Sequence, residues 1–208
     1  MYVWLDREGG YTDTPGFAAG LETFEAALDT MFTASQVARG LILDVRKNYG
    51  GSDILSLTLA SRLAGEEYLA YAKVARLDPD DPGRRTSPQG RYVPVSSRPG
   101  FRGPVVQLIG PYTISAGETL TQALMGREPR IVRIGENTQG VFSDTLGRQL
   151  PNGWQFWLPN EMFLTPDGTS FDGPGIPPDV RVPVFRAPDL TAGRDPALEK
   201  AMELLGEG

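Results

Sequence analysis

The sequence contains neither cysteine nor histidine. The first absence removes disulfide frameworks, thiolate nucleophiles and cysteine-bound zinc. The second removes haem ligation by imidazole and any Ser-His-Asp triad built from this chain alone. Lysine is scarce, with Lys47, Lys73 and Lys200 set against seventeen arginines, which leaves few side chains for a catalytic amine. Long hydrophobic runs are missing too. The apolar stretch 105–110 falls well short of the roughly 18 residues a bilayer crossing needs, and no charged-then-apolar leader begins the chain, so no membrane span is expected. A formal charge of −6 provides no basic face for a phosphate backbone, which disfavours nucleic acid as a partner.

What is present describes a globular chain. At 208 residues, with 40% hydrophobic and 22% charged, the sequence fits one domain spanning 1–208. Residues 2–5 read as a short strand followed by a Gly-rich loop through Gly16. Leu21, Phe24, Leu28, Met31 and Phe32 then recur at helical spacing, with Gly40 as a stop. The run Leu41-Ile42-Leu43-Asp44-Val45 has the pattern of a strand covered on both faces. It leads through Asn48-Tyr49-Gly50-Gly51 into a helix over 54–63. Residues 68–77 are extended, whereas 78–103 are dense in Pro, Gly, Asp and Arg and predict a long hairpin or flap inserted in the domain. A second β-turn-α unit follows, with a strand over 104–110 and a helix from Ser115 to Met125. A third strand covers 131–134, Asn152-Gly153 marks a hairpin, and Asp195-Pro196 opens a closing helix. Repeated β-turn-α units with added hairpins predict an α/β domain with a mixed sheet.

Two turns can carry chemistry. In Thr113-Ile114-Ser115-Ala116-Gly117-Glu118 a serine stands at a helix N-terminus, where unpaired N–H groups can stabilise a developing oxyanion. The same letters satisfy a Ser-x-x-Glu capping box, in which Ser115 and Glu118 merely close the helix end. Gly50 and Gly51 sit after a central strand and let backbone approach a ligand, or simply provide a tight turn. Asp44 and Arg46 are expected to pair with each other. Asp172 lies in a loop where an acid usually turns the chain. Trp154, Phe156 and Trp157 offer a peptide groove or, as strand aromatics more often do, a packed core, and the arginines of 78–103 read as a solvated face.

Taken together, several segments resemble the carboxyl-terminal processing (tail-specific) serine peptidases, with the tricorn protease core and the interphotoreceptor retinoid-binding protein repeats as relatives. Residues 41–51 are similar to that family's apolar strand followed by Asp-x-Arg-x-Asn-x-Gly-Gly, and Ile114-Ser115-Ala116-Gly117-Glu118 to its nucleophile segment. Gly135-Glu136-Asn137-Thr138-Gln139-Gly140 is similar to its Gly-Glu-x-Thr-x-Gly turn, and 173–180 to its Gly-Ile-x-Pro-Asp-Val ending. The resemblance implies a ClpP/crotonase-like α/β superhelix of repeated β-turn-α units with added hairpins. It implies a peptide or unfolded-protein substrate, Ser115 as nucleophile and the amides of Ala116 and of Gly50 or Gly51 as oxyanion hole, with no metal or organic cofactor.

The departures from the family pattern are specific. The tail-specific branch places a lysine base just after the Gly-x-Thr-x-Gly turn, where this chain has Val141. The tricorn-like branch uses an upstream histidine helped by an acid near the Gly-Ile-x-Pro-Asp ending, and Asp172 takes that acid's place instead of the usual Glu. The base is therefore expected from an N-terminal segment outside this chain, together with a PDZ or cap domain, and the isolated chain is expected to show little peptidase activity. The competing expectation is a catalytically inactive module that binds peptides or an apolar ligand. A homo-oligomer stays open, and an extracytoplasmic location follows by family analogy only.

Overall fold

The structure is a computed structural model that describes residues 1–78, 80–81 and 83–206. Pro79 and Pro82, which fall in the expected flap, and Glu207 and Gly208 at the end of the expected domain lie outside the described residues. In chain order the elements are β1 (Tyr2–Trp4), α1 (Phe17–Ala34), β2 (Leu41–Asp44), α2 (Asp53–Leu63), β3 (Tyr68–Ala75), β4 (Gln89–Val93), β5 (Val105–Ile109) and α3 (Ala116–Leu124). There follow β6 (Val132–Gly135), β7 (Thr145–Gln149), β8 (Gln155–Pro159), β9 (Glu161–Leu164), β10 (Val180–Arg181), α4 (Ala187–Thr191) and α5 (Pro196–Gly206).

The α/β class holds, but the parallel and antiparallel pairings expected in a mixed sheet fall in separate sheets. Five strands in the order β1-β2-β5-β6-β10 form an all-parallel sheet, while β4-β3-β9 and β7-β8 form separate antiparallel ones. The separation follows from connection chemistry: β-turn-α crossovers return the chain parallel, and tight turns return it antiparallel. The unbroken apolar run of β2 is explained by burial on both faces. Leu41 and Leu43 join the core packed by Phe24, Leu28 and Phe32 of α1 and by Leu55, Leu59 and Leu63 of α2. Ile42 instead joins Val106 and Leu108 of β5 on the opposite face, under Ala197 and Ala201 of α5. Helix α3 is buried along its whole length, so its N-terminus is held rigidly.

The segment read as a flap is tied down. Leu77 donates to Arg84, β4 pairs antiparallel with β3, and Phe101 is buried. Its arginines are exposed or half-exposed, as expected, and Arg98 pairs at the surface with Glu25 and Asp29 of α1. The β7-β8 ribbon corrects a second expectation. Its aromatics leave the core, with Trp154 before β8 71% and Trp157 within it 59% exposed.

Candidate active site

The two turns singled out in the sequence meet. A Cβ placed on Gly50 would lie 2.6 Å from Ser115 Cβ and 3.1 Å from Ser115 Oγ, so only glycine allows this approach. Gly50 also has φ +80°, in the left-handed region that costs an L side chain roughly 1–2 kcal/mol. Gly51 is closed in from the other side, where a Cβ would lie 2.2 Å from the Glu8 carbonyl oxygen.

Ser115 itself adopts φ 52° and ψ −122°, a rare conformation for a residue other than glycine. It is held there because its N–H donates to the Val141 carbonyl at 2.9 Å, and the N–H of Ile114 to the Asn48 carbonyl at 3.0 Å. The capping box does not close in full. The Ser115 hydroxyl makes no capping bond, and the Glu118 carboxylate, beside the Ser115 N–H, is engaged by the amides of Gly140 and Val141. Among the described residues nothing pairs with the Ser115 hydroxyl, and nothing accepts the N–H of Ala116 or of Gly51. Of the amides expected to form an oxyanion hole, that of Gly50 donates to Asn48 Oδ1 at 2.8 Å, because the Asn48 side chain folds back over its own turn.

Three supports around this pair were not legible as such in the sequence. Asn48 is fully buried, and its Nδ2 donates to the Leu5 carbonyl at 3.1 Å and to Glu8 Oε1 at 2.9 Å, which locks the Gly50-Gly51 turn to the segment after β1. Glu8, 1% exposed, exchanges main-chain bonds with Gly50 and Ser52, and its Oε2 has no partner. Burial pushes its carboxyl up to about 7, against the pull of the Asn48 hydrogen bond. A lone acid beside two glycines carries no periodic pattern that would have revealed it.

Glu118 is the second support. Its Oε1 accepts Gly140 N–H and its Oε2 accepts Val141 N–H, both at 2.7 Å, drawing the Gly135-to-Gly140 turn over Ser115. Burial raises this carboxyl, while the donors it collects pull the other way. Lys73 is the third. Its Nζ lies 2.8 Å from both Asp53 Oδ2 and Asp144 Oδ2 and 4.4 Å from the Phe163 ring centre. Asp53 in turn accepts Thr119 Oγ1 at 2.8 Å, so the ammonium braces the starts of α2 and α3 and the chain beyond Val141. Burial opposes its charge, but the bonds to Asp144 and Asp53 hold it above the ordinary lysine value.

Asp172 is exposed and does not touch Ser115. Its Oδ1 accepts Phe142 N–H at 3.4 Å and its neighbour Gly173 donates to the Gly140 carbonyl at 2.8 Å, which puts it on the loop bordering the same turn. Val141, at the expected lysine position, is 52% exposed. Asp44 and Arg46 pair as expected, at 2.6 Å, and Arg46 is shared with Asp195. A pocket of about 290 Å³ lies at the far end of α3, lined by Leu69, Gln122, Met125 and Phe171 among others. Among the described residues no cluster of acids is placed to hold a metal ion, and no helix is long and apolar enough to cross a membrane.

Known structures share this arrangement of elements. A candidate peptidase from Parabacteroides merdae superposes with TM-score 0.83 at 27% identity, covering 98% of this chain and 60% of that one. Mature CPAF gives 0.75 at 16% identity over 99% of this chain and 50% of its own, and the tricorn protease 0.65 at 23% over 99% and 17%. The last two likenesses speak to fold alone, and the chain spans about half to three-fifths of the first relatives' length. No curated protein matches the chain. Residues 9–182 match the family model for peptidase family S41, a span that takes in both turns, Asp172 and the Gly-Ile-x-Pro-Asp segment, and on that match the chain belongs to peptidase family S41.

Proposed function

We propose that this chain is the core of a serine endopeptidase in which Ser115 forms an acyl-enzyme. The observation that carries the reading is the close approach of Gly50 to an unpaired Ser115 hydroxyl where a helix starts, with the amides of Gly51 and Ala116 on the two adjoining turns left without an acceptor. In the proposed reaction a base takes the Oγ proton as the oxygen attacks the scissile carbonyl carbon. The resulting oxyanion is received by the Gly51 and Ala116 N–H groups, and the amine departs with the proton. Water, deprotonated by the same base, then releases the acyl group and restores the hydroxyl. Removing one such donor typically costs about 10²–10³ in rate. The pocket of about 290 Å³ beyond Gln122 is apolar enough to take an uncharged substrate side chain.

The base is an imidazole brought by a segment outside this chain, with Asp172 orienting it from the loop beside Val141. The chain contains no histidine, and a serine hydroxyl without a base is a poor nucleophile at neutral pH. Peptide hydrolysis by the chain alone is therefore expected to be very slow. The test is fluorophosphonate labelling of the purified chain with added imidazole. The adduct should map to Ser115, vanish in Ser115→Ala, and form faster in proportion to neutral imidazole. Labelling that persists in Ser115→Ala would refute the assignment. The absence of histidine together with Val141 at the lysine position favours one second reading, a binding module of the same fold; a chain that binds peptide yet never labels would support it.

A further inference from the structure

Beside Glu8, whose main chain abuts Gly51, lies a second cavity of about 250 Å³, bordered by Glu8, Gly9, Tyr11, Phe17, Gly20 and Leu55 among others. Glu8 is the one ionisable acid or base side chain other than tyrosine among the residues that line it. Its carboxyl is 1% exposed, with Oε1 engaged by Asn48 and Oε2 unpartnered. A buried carboxylate oxygen without a donor is costly, and the neighbouring chain offers none. Without a ligand the carboxyl meets this cost by holding a proton, and a ligand that brings a cationic donor can take that proton's place. Asp6 and Asp53 add negative potential at Glu8, which favours a cationic donor over a neutral one. Tyr11, stacked on Phe24 at 4.8 Å, and Phe17 supply aromatic surface of the kind that attracts ammonium groups. The volume suits one side chain rather than a whole small-molecule ligand.

We propose that this cavity binds a primary ammonium on an aliphatic stem, the chemistry of a lysine side chain in a bound peptide, with Glu8 as its counter-ion. The assignment to a peptide rests on the endopeptidase reading, but the cavity's affinity for the ammonium does not depend on acylation. Because Glu8 neighbours Gly51 through main-chain bonds, a lysine seated here would bias which peptides reach the oxyanion amides.

The experiment is titration of the isotopically labelled chain with Nα-acetyl-lysine amide and with the uncharged Nα-acetyl-norleucine amide, following the amide signals of Gly9, Gly10 and Gly20 by NMR. The lysine derivative should shift these signals saturably, and the norleucine derivative should bind at least tenfold more weakly. Glu8→Gln should weaken lysine binding about tenfold. Gly20→Leu, which fills the cavity from an open position on α1, should abolish it in a chain that stays folded. Ser115→Ala should bind as the parent does. Equal binding of the two probes, or lysine binding that survives Gly20→Leu or disappears with Ser115→Ala, would overturn the proposal.

Discussion

Gly50→Ala tests the contact on which the site depends. The added methyl would sit 2.6 Å from Ser115 Cβ, where ordinary contacts begin near 3.4 Å, so the two turns must part by about 1 Å. Two costs add. Holding alanine at φ +80° costs roughly 1–2 kcal/mol, and overpacking a rigid contact costs about 1–3 kcal/mol. Neither neighbour yields easily, because the Asn48 side chain pins one turn and the Val141 carbonyl pins the other. The sum, about 2–5 kcal/mol, is measured as the change in unfolding free energy by urea titration at constant m. At roughly 2–4 °C per kcal/mol for a chain of this size it also lowers Tm by about 4–20 °C. Labelling of Ser115 should fall further, by about 10²-fold, since a displacement of 1 Å at a reacting group costs on that order. Gly9→Ala is the control, with nothing within 4 Å of the new methyl and no positive φ; its effect should stay within about 0.5 kcal/mol. If Gly50→Ala matched that control in stability and labelled at the parental rate, the two turns would not be in contact and the site as described would fail.

Two further outcomes are expected. Glu8 keeps its proton in the fold up to about 7, whereas an unfolded glutamate loses it near 4.5. Native stability should therefore decline as pH rises from about 4.5 to 7, by about 3 kcal/mol at 1.36 kcal/mol per pH unit, and Glu8→Gln should remove that decline. Parallel urea-derived profiles for parent and variant across this window would contradict it. Val141→Lys returns an amine to the turn whose carbonyl holds Ser115. Because that position is half exposed, the amine should titrate near its ordinary 10.4. Its labelling advantage over Val141→Met should then grow with pH and level off near pH 10; an equal rate for both variants would show that position 141 cannot reach the hydroxyl.

The hydrophobic runs made the two central strands legible, because a strand buried on both faces leaves a short apolar stretch, and the flanking Gly40 and Pro104 with Gly110 argue against a buried helix of that length. The Gly50-Gly51 and Ser115-Ala116 turns were legible as sites because special backbone needs glycine, and a helix start needs a recognisable first turn. What the letters could not give is where long side chains go. Ser-Ala-Gly-Glu reads as a capping box, but Glu118 reaches across to the Gly140 and Val141 amides once that turn is laid over it. Asn48 reads as a turn residue, yet it silences one of the two glycine amides and leaves Gly51 and Ala116 as the unpaired set. Lys73 stood out only as one of three lysines, and its role depends on Asp53 and Asp144, which reach it from elsewhere in the chain. The ribbon aromatics were misread because a two-stranded sheet without a partner has no interior in which to bury them.

The convergence of distant residues has a topological cause. In a parallel sheet every strand delivers its carboxyl end to the same edge, so the loops that follow neighbouring strands are neighbours whatever their separation in sequence. Here β1, β2, β5 and β6 are consecutive, with Trp4 opposite Asp44, Asp44 opposite Leu108, and Leu108 opposite Ile134. The loops they deliver carry Glu8, Gly50 with Gly51, Ser115, and Gly140 with Val141, and the hydrogen bonds among these loops run between adjacent strands' loops in that order. Once the strand order is set, four segments that are remote in sequence become a single row of contacts, and the strained Ser115 is stabilised by bonds from both sides. A substitution at Val141 should therefore act on the serine directly, through the bond its carbonyl accepts from Ser115, and one at Glu8 through the intervening Gly50-Gly51 turn, rather than through the core.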